Sequence, residues 1–305
     1  MDQETSYAQL HQKVAYMGQF IDLDRFIRGD KNSLEEIVSY YRVNAWAYRR
    51  FHSQDGFMHF RISPSGNLVD EDVYRQPNTI SQYIKDGDLV MELGFGQGAN
   101  LFYLARRHPN ARFYGVDLSP LTAKDVPANV SSFQMDYSDL SRFEDNSVDV
   151  LYAIETIVHN SDKEKIYKEV CRILKPNGVA IVFDYALRAP YNSYDPVIQE
   201  VIALISKGAA SSLIESLDEL NSHYLNSGLV IEENTDYTRE TQPDLKRLEH
   251  KADKIMSRPK LAKWFFKLFH EQFVSNVIVG YLGYDFFNAG IGSYQKWVLR
   301  KKMMS

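Results

Sequence analysis

Residues 89–98 read Leu-Val-Met-Glu-Leu-Gly-Phe-Gly-Gln-Gly, and this stretch decides the fold. Its apolar start predicts a buried strand, and Asn100–Arg107 after the glycines has a helical pattern. Gly94, Gly96 and Gly98 stand at every second position, so the backbone can turn sharply and approach a ligand closely. A strand, a glycine turn and a helix in this order predict a ligand site at the edge of an α/β sheet.

A second strand candidate, Phe113-Tyr-Gly-Val-Asp117, ends on an acid nineteen residues after Gly98. A carboxylate at the tip of the second strand can accept hydrogen bonds from two ribose hydroxyls. Glu92 stands two residues before the first glycine, where an acid disfavours phosphates and suits a ligand with an ammonium group. The spacing of the glycines also differs from the G-x-G-x-x-G pattern of dinucleotide sites. The sequence therefore favours a positively charged ligand with a ribose over a dinucleotide.

The composition narrows the class of protein. The chain has 305 residues, is 44% hydrophobic and carries a formal net charge of −5, which gives no basic footprint for nucleic acid. Its one cysteine, Cys171, excludes an internal disulfide and fits a reducing compartment. No signal peptide and no run of about twenty apolar residues is visible, so we expect a cytoplasmic protein without a transmembrane segment.

Seven strand candidates alternate with helical segments from residue 89 onward. This alternation predicts a doubly wound α/β fold, in which helices cover both faces of a mostly parallel sheet. The strand candidates are Leu89–Leu93, Arg112–Asp117, Val130–Gln134, Val148–Ile154, Gly178–Asp184, Leu229–Thr235 and Tyr294–Arg300.

The chain divides into four segments on this basis. We expect an N-terminal helical extension at 1–75, an α/β core at 76–236, a helical substrate cap at 237–284 and the final core strand at 285–305. The N-terminal helices could pack between subunits and form a homo-oligomer. Within the cap, residues 264–279 combine apolar and basic side chains. A lid over an acceptor, a helix packed on the domain and a peripheral membrane-surface helix are the three interpretations that stay open.

Polar residues follow the third and fourth strand candidates. Asp136 ends the third, and Glu155 directly follows the fourth. His159 stands four residues after Glu155, so one helical turn would place both side chains on one face. Because ligands of open α/β sheets bind at the carboxyl ends of the strands, all three residues are candidate site residues.

Glu92-x-Gly94-x-Gly96-x-Gly98 followed by Asp117 resembles motifs I and II of the class I S-adenosylmethionine-dependent methyltransferases. The resemblance implies a Rossmann-like fold, an antiparallel last strand and S-adenosylmethionine as the cofactor. It also implies that the acid after the third strand accepts a hydrogen bond from the adenine amino group. The cofactor-binding residues it implies are Glu92, Gly94, Gly96, Gly98, Asp117, Leu118, Asp136, Tyr137 and Ile154.

The stretch from Asp149 through His159, with the Leu-Lys-Pro-Asn-Gly178 turn, is similar to the sterol C-methyltransferases and to microbial enzymes that methylate prenyl chains. The similarity covers about Tyr40 to Asp184. It implies methyl transfer to an alkene carbon through a carbocation, with Glu155 and His159 as catalytic residues. The sterol enzymes' Tyr-Glu-x-Gly-Trp-Gly motif is absent from this sequence, which favours an isoprenoid other than a sterol.

The chain is rich in aromatic residues, with 20 Tyr, 17 Phe and 3 Trp. Because aromatic faces stabilise cations, this composition suits a hydrophobic small-molecule acceptor that passes through a carbocation. The substrate-binding candidates are Tyr41, Trp46, Phe57, His59 and Phe265. No metal site is predicted among the protein side chains, but a prenyl diphosphate acceptor would need Mg²⁺ or cations such as Arg49, Arg50, Arg61 and Arg188. Two alternatives stay open, namely an O- or N-methyltransferase of another small hydrophobic metabolite and a cofactor-binding subunit without catalysis.

Overall fold

Seven strands form a single sheet in the computed structural model, which describes residues 2–28, 56–268 and 271–302. The strands are β1 Leu89–Leu93, β2 Arg112–Asp117, β3 Val130–Gln134, β4 Val148–Ile154, β5 Leu174–Leu187, β6 Leu229–Asp236 and β7 Gly292–Lys301. Their order across the sheet is β3-β2-β1-β4-β5-β7-β6.

The strand directions confirm the doubly wound, mostly parallel sheet. Neighbours from β3 through β5 run parallel, and β7 is antiparallel to both β5 and β6. The predicted strand bounds agree closely, except that β5 runs from Leu174 to Leu187 instead of from Gly178 to Asp184. Leu174 still pairs with Val148 there, so the predicted turn before strand five lies inside the sheet, at a register shift.

Helices cover both faces of this sheet. They are α1 Gln3–Met17, α2 Leu23–Arg28, α3 Arg75–Ser81, α4 Ala99–Arg107, α5 Lys163–Ile173, α6 Pro196–Gly208, α7 Leu217–Asn226, α8 Thr238–Met256, α9 Pro259–Leu268 and α10 Glu271–Asn288. None of them is both long enough and apolar enough to span a bilayer, within the part of the chain that the structure describes.

The two hydrophobic cores follow from the alternation of side chains along buried strands. On β1, Val90 belongs to the core that includes side chains of α1, α4, α6 and α10. Leu89, Met91 and Leu93 belong to the opposite core, which includes side chains of α5 and α7. Because both faces of the sheet are covered, the central strands are apolar almost without interruption.

The N-terminal helix α1 is joined to the C-terminal helices by a buried polar cluster. Lys13 Nζ lies 2.6 Å from Glu249 Oε1 on α8 and 2.7 Å from Asp285 Oδ2 on α10. Ser6 Oγ donates to Asp285 Oδ1 at 2.8 Å. Asp285 is fully buried. Since buried charges are stable only when they are paired, α1, α8 and α10 form one packed unit.

We predict that Asp285→Ala lowers the free energy of unfolding by about 3 kcal/mol, because it removes one partner of a buried ion pair and leaves Ser6 without its acceptor. Urea denaturation measures the change. Asp24→Ala is the matched control, since Asp24 pairs with Arg28 in an exposed i,i+4 contact and should change stability by less than about 0.5 kcal/mol. Equal effects of the two substitutions would contradict the role given to the buried cluster.

Candidate active site

The glycine turn after β1 is built from left-handed backbone. Gly94, Gly96 and Gly98 have φ values of 73°, 53° and 83°. The Gly94 N–H donates to Val116 O of β2 at 2.7 Å. A Cβ on Gly94 would lie 2.5 Å from Thr156 Cγ2, so both the backbone conformation and the close packing require glycine there.

Asp117 joins the tip of β2 to this turn. Its Oδ2 accepts the Gly96 N–H at 2.8 Å, and its Oδ1 accepts the Ser119 N–H at 2.8 Å. Burial raises the pKa of Asp117 above its usual value, while these backbone donors act in the opposite direction. Each carboxylate oxygen can accept more than one hydrogen bond, so the side chain can bind hydroxyls as well as fix the turn.

Glu92 lies beneath the turn, and only 2% of its surface is exposed. Burial raises its pKa to about 8, although hydrogen bonds from Tyr152 and Asn100 favour the ionised form. The Tyr152 hydroxyl is 3.1 Å from Glu92 Oε2. Asn100 Oδ1 in turn lies 3.2 Å from His59 Nε2. This acid therefore connects the turn to the chain segment around residue 59.

The residues after β3 and β4 are tied to the same edge. Asp136 Oδ1 accepts the Ser138 N–H at 2.8 Å, and the buried Tyr137 donates its hydroxyl to Thr156 O at 2.8 Å. Thr156 Oγ1 donates to the carbonyl of Leu93, the last residue of β1. The predicted cofactor residues after β1, β2, β3 and β4 thus lie along one carboxyl edge, with Leu118 just beyond β2 and Ile154 at the end of β4.

Glu155 is held by two other parts of the chain. Its Oε1 accepts the Phe60 N–H at 2.8 Å and the Tyr294 hydroxyl at 2.8 Å. Its backbone is left-handed, with φ 52°, which is uncommon for a side chain of this size. Protein packed around the carboxyl group raises the pKa of Glu155 to about 8, and the nearby Asp184 and Asp244 add to the rise.

His159 ends a short 3₁₀ helix, Ile157–His159, after Glu155. Its Nδ1 lies 2.9 Å from the carbonyl oxygen of Ala210, and the ring also bonds the main chain of Glu155. Burial lowers the pKa of His159 to about 4, so the ring is neutral at neutral pH. These contacts join His159 to the main chain of Ala210, just after α6, and to the main chain of Glu155.

The structure brings some of the predicted acceptor-binding residues to this edge. Phe57 and His59 are both 3% exposed, and their rings meet edge to face. Phe265 lies on α9, where it packs against Phe266 and the core. Tyr41 and Trp46 lie outside the described residues.

The cations suggested for a diphosphate have acidic partners where they are described. Arg61 Nη1 lies 3.4 Å from Asp70, and Arg188 Nη2 lies 2.7 Å from Asp236. Arg49 and Arg50 lie outside the described residues. Across residues 2–28, 56–268 and 271–302, no three acidic, histidine or cysteine side chains are grouped as a metal site would need.

Three side chains of this edge were missed from the sequence. Tyr294 and Gln76 come from β7 and α3, and the Gln76 amide donates to Phe60 O and to the Tyr294 hydroxyl at 2.5 and 3.2 Å. Asp184 on β5 accepts the Val158 N–H at 3.0 Å, and burial raises its pKa to about 7. Asp184 is the last residue of a predicted strand, so the rule that ligands bind at the carboxyl ends of strands could have identified it. No local sequence pattern distinguishes Tyr294 or Gln76 as site residues.

A protein-family model described as a methyltransferase domain matches residues 91–182, which include the glycine turn, Asp117 and Glu155. The chain contains a class I S-adenosylmethionine-dependent methyltransferase domain. The sterol 24-C-methyltransferase of Aspergillus fumigatus is 35% identical over 166 residues, which cover 50% of this chain and 42% of that relative. The chain spans about half the length of the curated relatives it matches.

Solved structures share the fold of the methyltransferase domain and its additions. A cyclopropane synthase of Mycobacterium tuberculosis matches with a TM-score of 0.70 and 12% identity, over 88% of this chain and 98% of that one. The geranyl diphosphate C-methyltransferase of Streptomyces coelicolor matches with a TM-score of 0.60 and 16% identity, over 86% and 98%. At sequence identities of 12% and 16%, these two matches show similarity of fold alone.

We predict that Asp117→Asn weakens binding of S-adenosylmethionine about 10- to 150-fold, because it removes the charge from a hydrogen-bonding acceptor. Calorimetric titration measures the dissociation constant. Asp139→Asn, an exposed acid beyond β3, is the control. An unchanged dissociation constant for Asp117→Asn, or binding of NAD in preference to S-adenosylmethionine, would overturn the assignment.

We also predict that the cofactor-free protein loses stability as the pH rises from about 6.5 to 8. Glu92, Glu155 and Asp184 have folded-state pKa values of about 8, 8 and 7, far above those of the unfolded chain. The folded state therefore retains protons that the unfolded state has released, so the free energy of unfolding falls with pH. The lowered pKa values of His159 and Lys251 make the free energy of unfolding rise with pH instead. His159 has this effect below pH 6.5 and Lys251 above pH 8, so neither acts within the range considered.

Thermal denaturation across this pH range tests the sign of the dependence. Glu155→Gln removes one of the three titrating groups and should flatten the profile. A profile that rises between pH 6.5 and 8, or one that Glu155→Gln leaves unchanged, would show that these carboxyls do not titrate as described.

Proposed function

We propose that the protein transfers a methyl group to an alkene carbon of an isoprenoid acceptor, such as a prenyl diphosphate, a terpenoid or a sterol-like molecule. The observation that carries the proposal is the Glu155 carboxyl group, held at the cofactor edge by Phe60 N–H and Tyr294 O–H. The names of the sterol 24-C-methyltransferase relatives and of the geranyl diphosphate C-methyltransferase neighbour support the same acceptor class.

The residues at the carboxyl edge fit S-adenosylmethionine by their chemistry. Asp117 has acceptor capacity left for ribose hydroxyls, and the three glycines add no side chains of their own to the turn. The loop after β3, with Asp136 and Tyr137, would hold the adenine, and the buried Glu92 complements a cation. When bound, S-adenosylmethionine supplies an electrophilic methyl group on a positively charged sulfur.

The two residues that bind the Glu155 carboxyl group, Phe60 and Tyr294, belong to a cluster of aromatic rings. The Phe60 ring lies 5.9 Å from that of Tyr294 and 6.1 Å from that of Phe287. Aromatic faces stabilise cations, and a closed apolar site excludes water that would capture a carbocation as an alcohol. This environment suits carbon methylation, since oxygen and nitrogen acceptors do not pass through a carbocation.

Glu155 would stabilise the positive charge and then accept the proton. The alkene π electrons would form the new carbon–carbon bond to the methyl group, whose bond to sulfur would break with its electron pair left on sulfur. The acceptor would then be a carbocation, and loss of a proton from a neighbouring carbon would restore a double bond. Both described donors bind Oε1, which makes Oε2 the proton acceptor in this proposal. Its raised pKa makes the ionised Glu155 a stronger base than an ordinary carboxylate, and a cation beside it favours the ionised form. His159, neutral and bonded to the loop, would keep Glu155 in position.

A radiolabelled methyl-transfer assay tests the proposal. The acceptors are prenyl diphosphates, terpenoids, sterols, phenols and amines, each with and without Mg²⁺, which only a diphosphate acceptor should require. We expect label on carbon of an isoprenoid, located by mass spectrometry. Label on oxygen or nitrogen would instead establish the O- or N-methyltransferase alternative.

We predict that Glu155→Gln lowers kcat at least about 100-fold while the dissociation constant of S-adenosylmethionine changes little. Tyr294→Phe keeps the carboxyl group but removes one donor to Oε1, so it should lower kcat about tenfold. Steady-state kinetics with the acceptor found above measures both. Glu219→Gln, in the capping box of α7, is the control. Near-wild-type kcat for Glu155→Gln would make Glu155 a structural residue.

A further inference from the structure

Helix α9 exposes an apolar and basic face. Trp264 and Leu268 are 52% and 61% exposed, and Lys260, Lys263 and Lys267 are exposed with them. These five residues are spaced three or four apart or lie side by side, so they form one stripe along the helix. We call this stripe the α9 outer face. The opposite side of the helix is anchored, with Ala262 fully buried and Phe265 and Phe266 packed against the core.

The stretch of chain that contains this face carries a charge opposite to that of the whole protein. Residues 251–267 contain six basic residues and one acid, whereas the complete chain has a formal net charge of −5. The basic residues are Lys251, Lys254, Arg258, Lys260, Lys263 and Lys267, and the acid is Asp253. When positive charge is concentrated on one part of a protein, a negatively charged surface attracts that part and orients the protein towards it.

We propose that the α9 outer face docks the protein on a membrane surface that contains anionic phospholipids. Lysines flanking exposed Trp and Leu on a helix that does not span the bilayer are suited to the interfacial region. The lysines would contact lipid phosphates while Trp264 and Leu268 enter the boundary between headgroups and acyl chains. This inference does not rest on the proposed function, although a bilayer is also where an apolar isoprenoid accumulates.

Two other occupants fit the α9 outer face less well. A second copy would bring like charges together, which opposes association. An acidic protein would satisfy the lysines, whereas an anionic bilayer would also receive the exposed apolar side chains of Trp264 and Leu268. The ring of Phe20, in the turn that follows α1, lies beside this surface, since Lys263 Nζ is 5.9 Å from its centroid.

Vesicle co-sedimentation of the full chain tests the proposal. The probes are vesicles of phosphatidylcholine alone and of phosphatidylcholine mixed with phosphatidylglycerol, at low and high salt. We expect binding to the mixed vesicles only, with release at high salt because charge attraction is screened. A blue shift of tryptophan fluorescence on binding, absent in Trp264→Phe, should place Trp264 in the interface.

Matched variants separate this face from general charge effects. Lys263→Glu with Lys267→Glu should weaken binding to the mixed vesicles at least about tenfold, and Leu268→Ser should also weaken it. Lys165→Glu with Lys168→Glu, on α5 at the opposite face of the sheet, should leave binding unchanged. Methyl transfer to a water-dispersed acceptor and the melting temperature should stay at the wild-type level in all variants.

Three results would overturn the proposal. The first is failure of the wild-type protein to bind the mixed vesicles. The second is equal loss of binding in the α5 and α9 charge variants. The third is a self-association in sedimentation velocity that Leu268→Ser abolishes, which would make the face a contact between copies. Because vesicle binding is measured without turnover, none of these results depends on the identity of the methyl acceptor.

Discussion

The order of strands reverses between β1 and β4, and the active site depends on this constraint. The chain leaves β1 towards β2 on one side and returns through β4 on the other, so a crevice opens at the carboxyl ends of these neighbouring strands. The glycine turn after β1 and Glu155 after β4 flank the crevice. Hydrogen bonds from Gly94 to Val116 and from Gly96 to Asp117 fix the turn against β2. The sheet therefore supplies both the acids proposed to bind the cofactor and the proposed catalytic acid from neighbouring strand ends.

Three buried carboxyls give this edge its electrostatic character. Glu92, Glu155 and Asp184 all have pKa values raised to between about 7 and 8, mainly by burial. Burying an acid without a strong counter-charge costs folding free energy when it ionises. A positively charged ligand offsets that cost, so the edge favours cations over phosphates. The same physical argument applies to a sulfonium cofactor and to the carbocation of the proposed reaction.

The segment 60–63 connects this edge to the helices added to the sheet. The Phe60 N–H binds Glu155, the Arg61 N–H donates to Asp244 Oδ2, and the Ser63 N–H donates to Glu240 O. Glu240 and Asp244 lie on α8, which α10 and α1 hold through the Lys13 cluster. Movement of these helices would thus change the position of the groups that hold Glu155, and α9 places the proposed membrane contact on the same helical unit.

The sequence by itself determined the sheet, the glycine turn after β1 and the position of Glu155 directly after β4. Apolar runs, glycines at alternate positions and acids at strand ends are local patterns, and backbone sterics and side-chain alternation translate them directly into structure. Only the tertiary structure decided what surrounds Glu155. Tyr294 lies 139 residues from Glu155, and Phe60 lies 95 residues from it. The periodicity of a sequence does not indicate which distant donors will contact a carboxylate. The pairing of Lys13 with Asp285 was equally invisible, because such contacts depend on how complete helices pack once the sheet has formed.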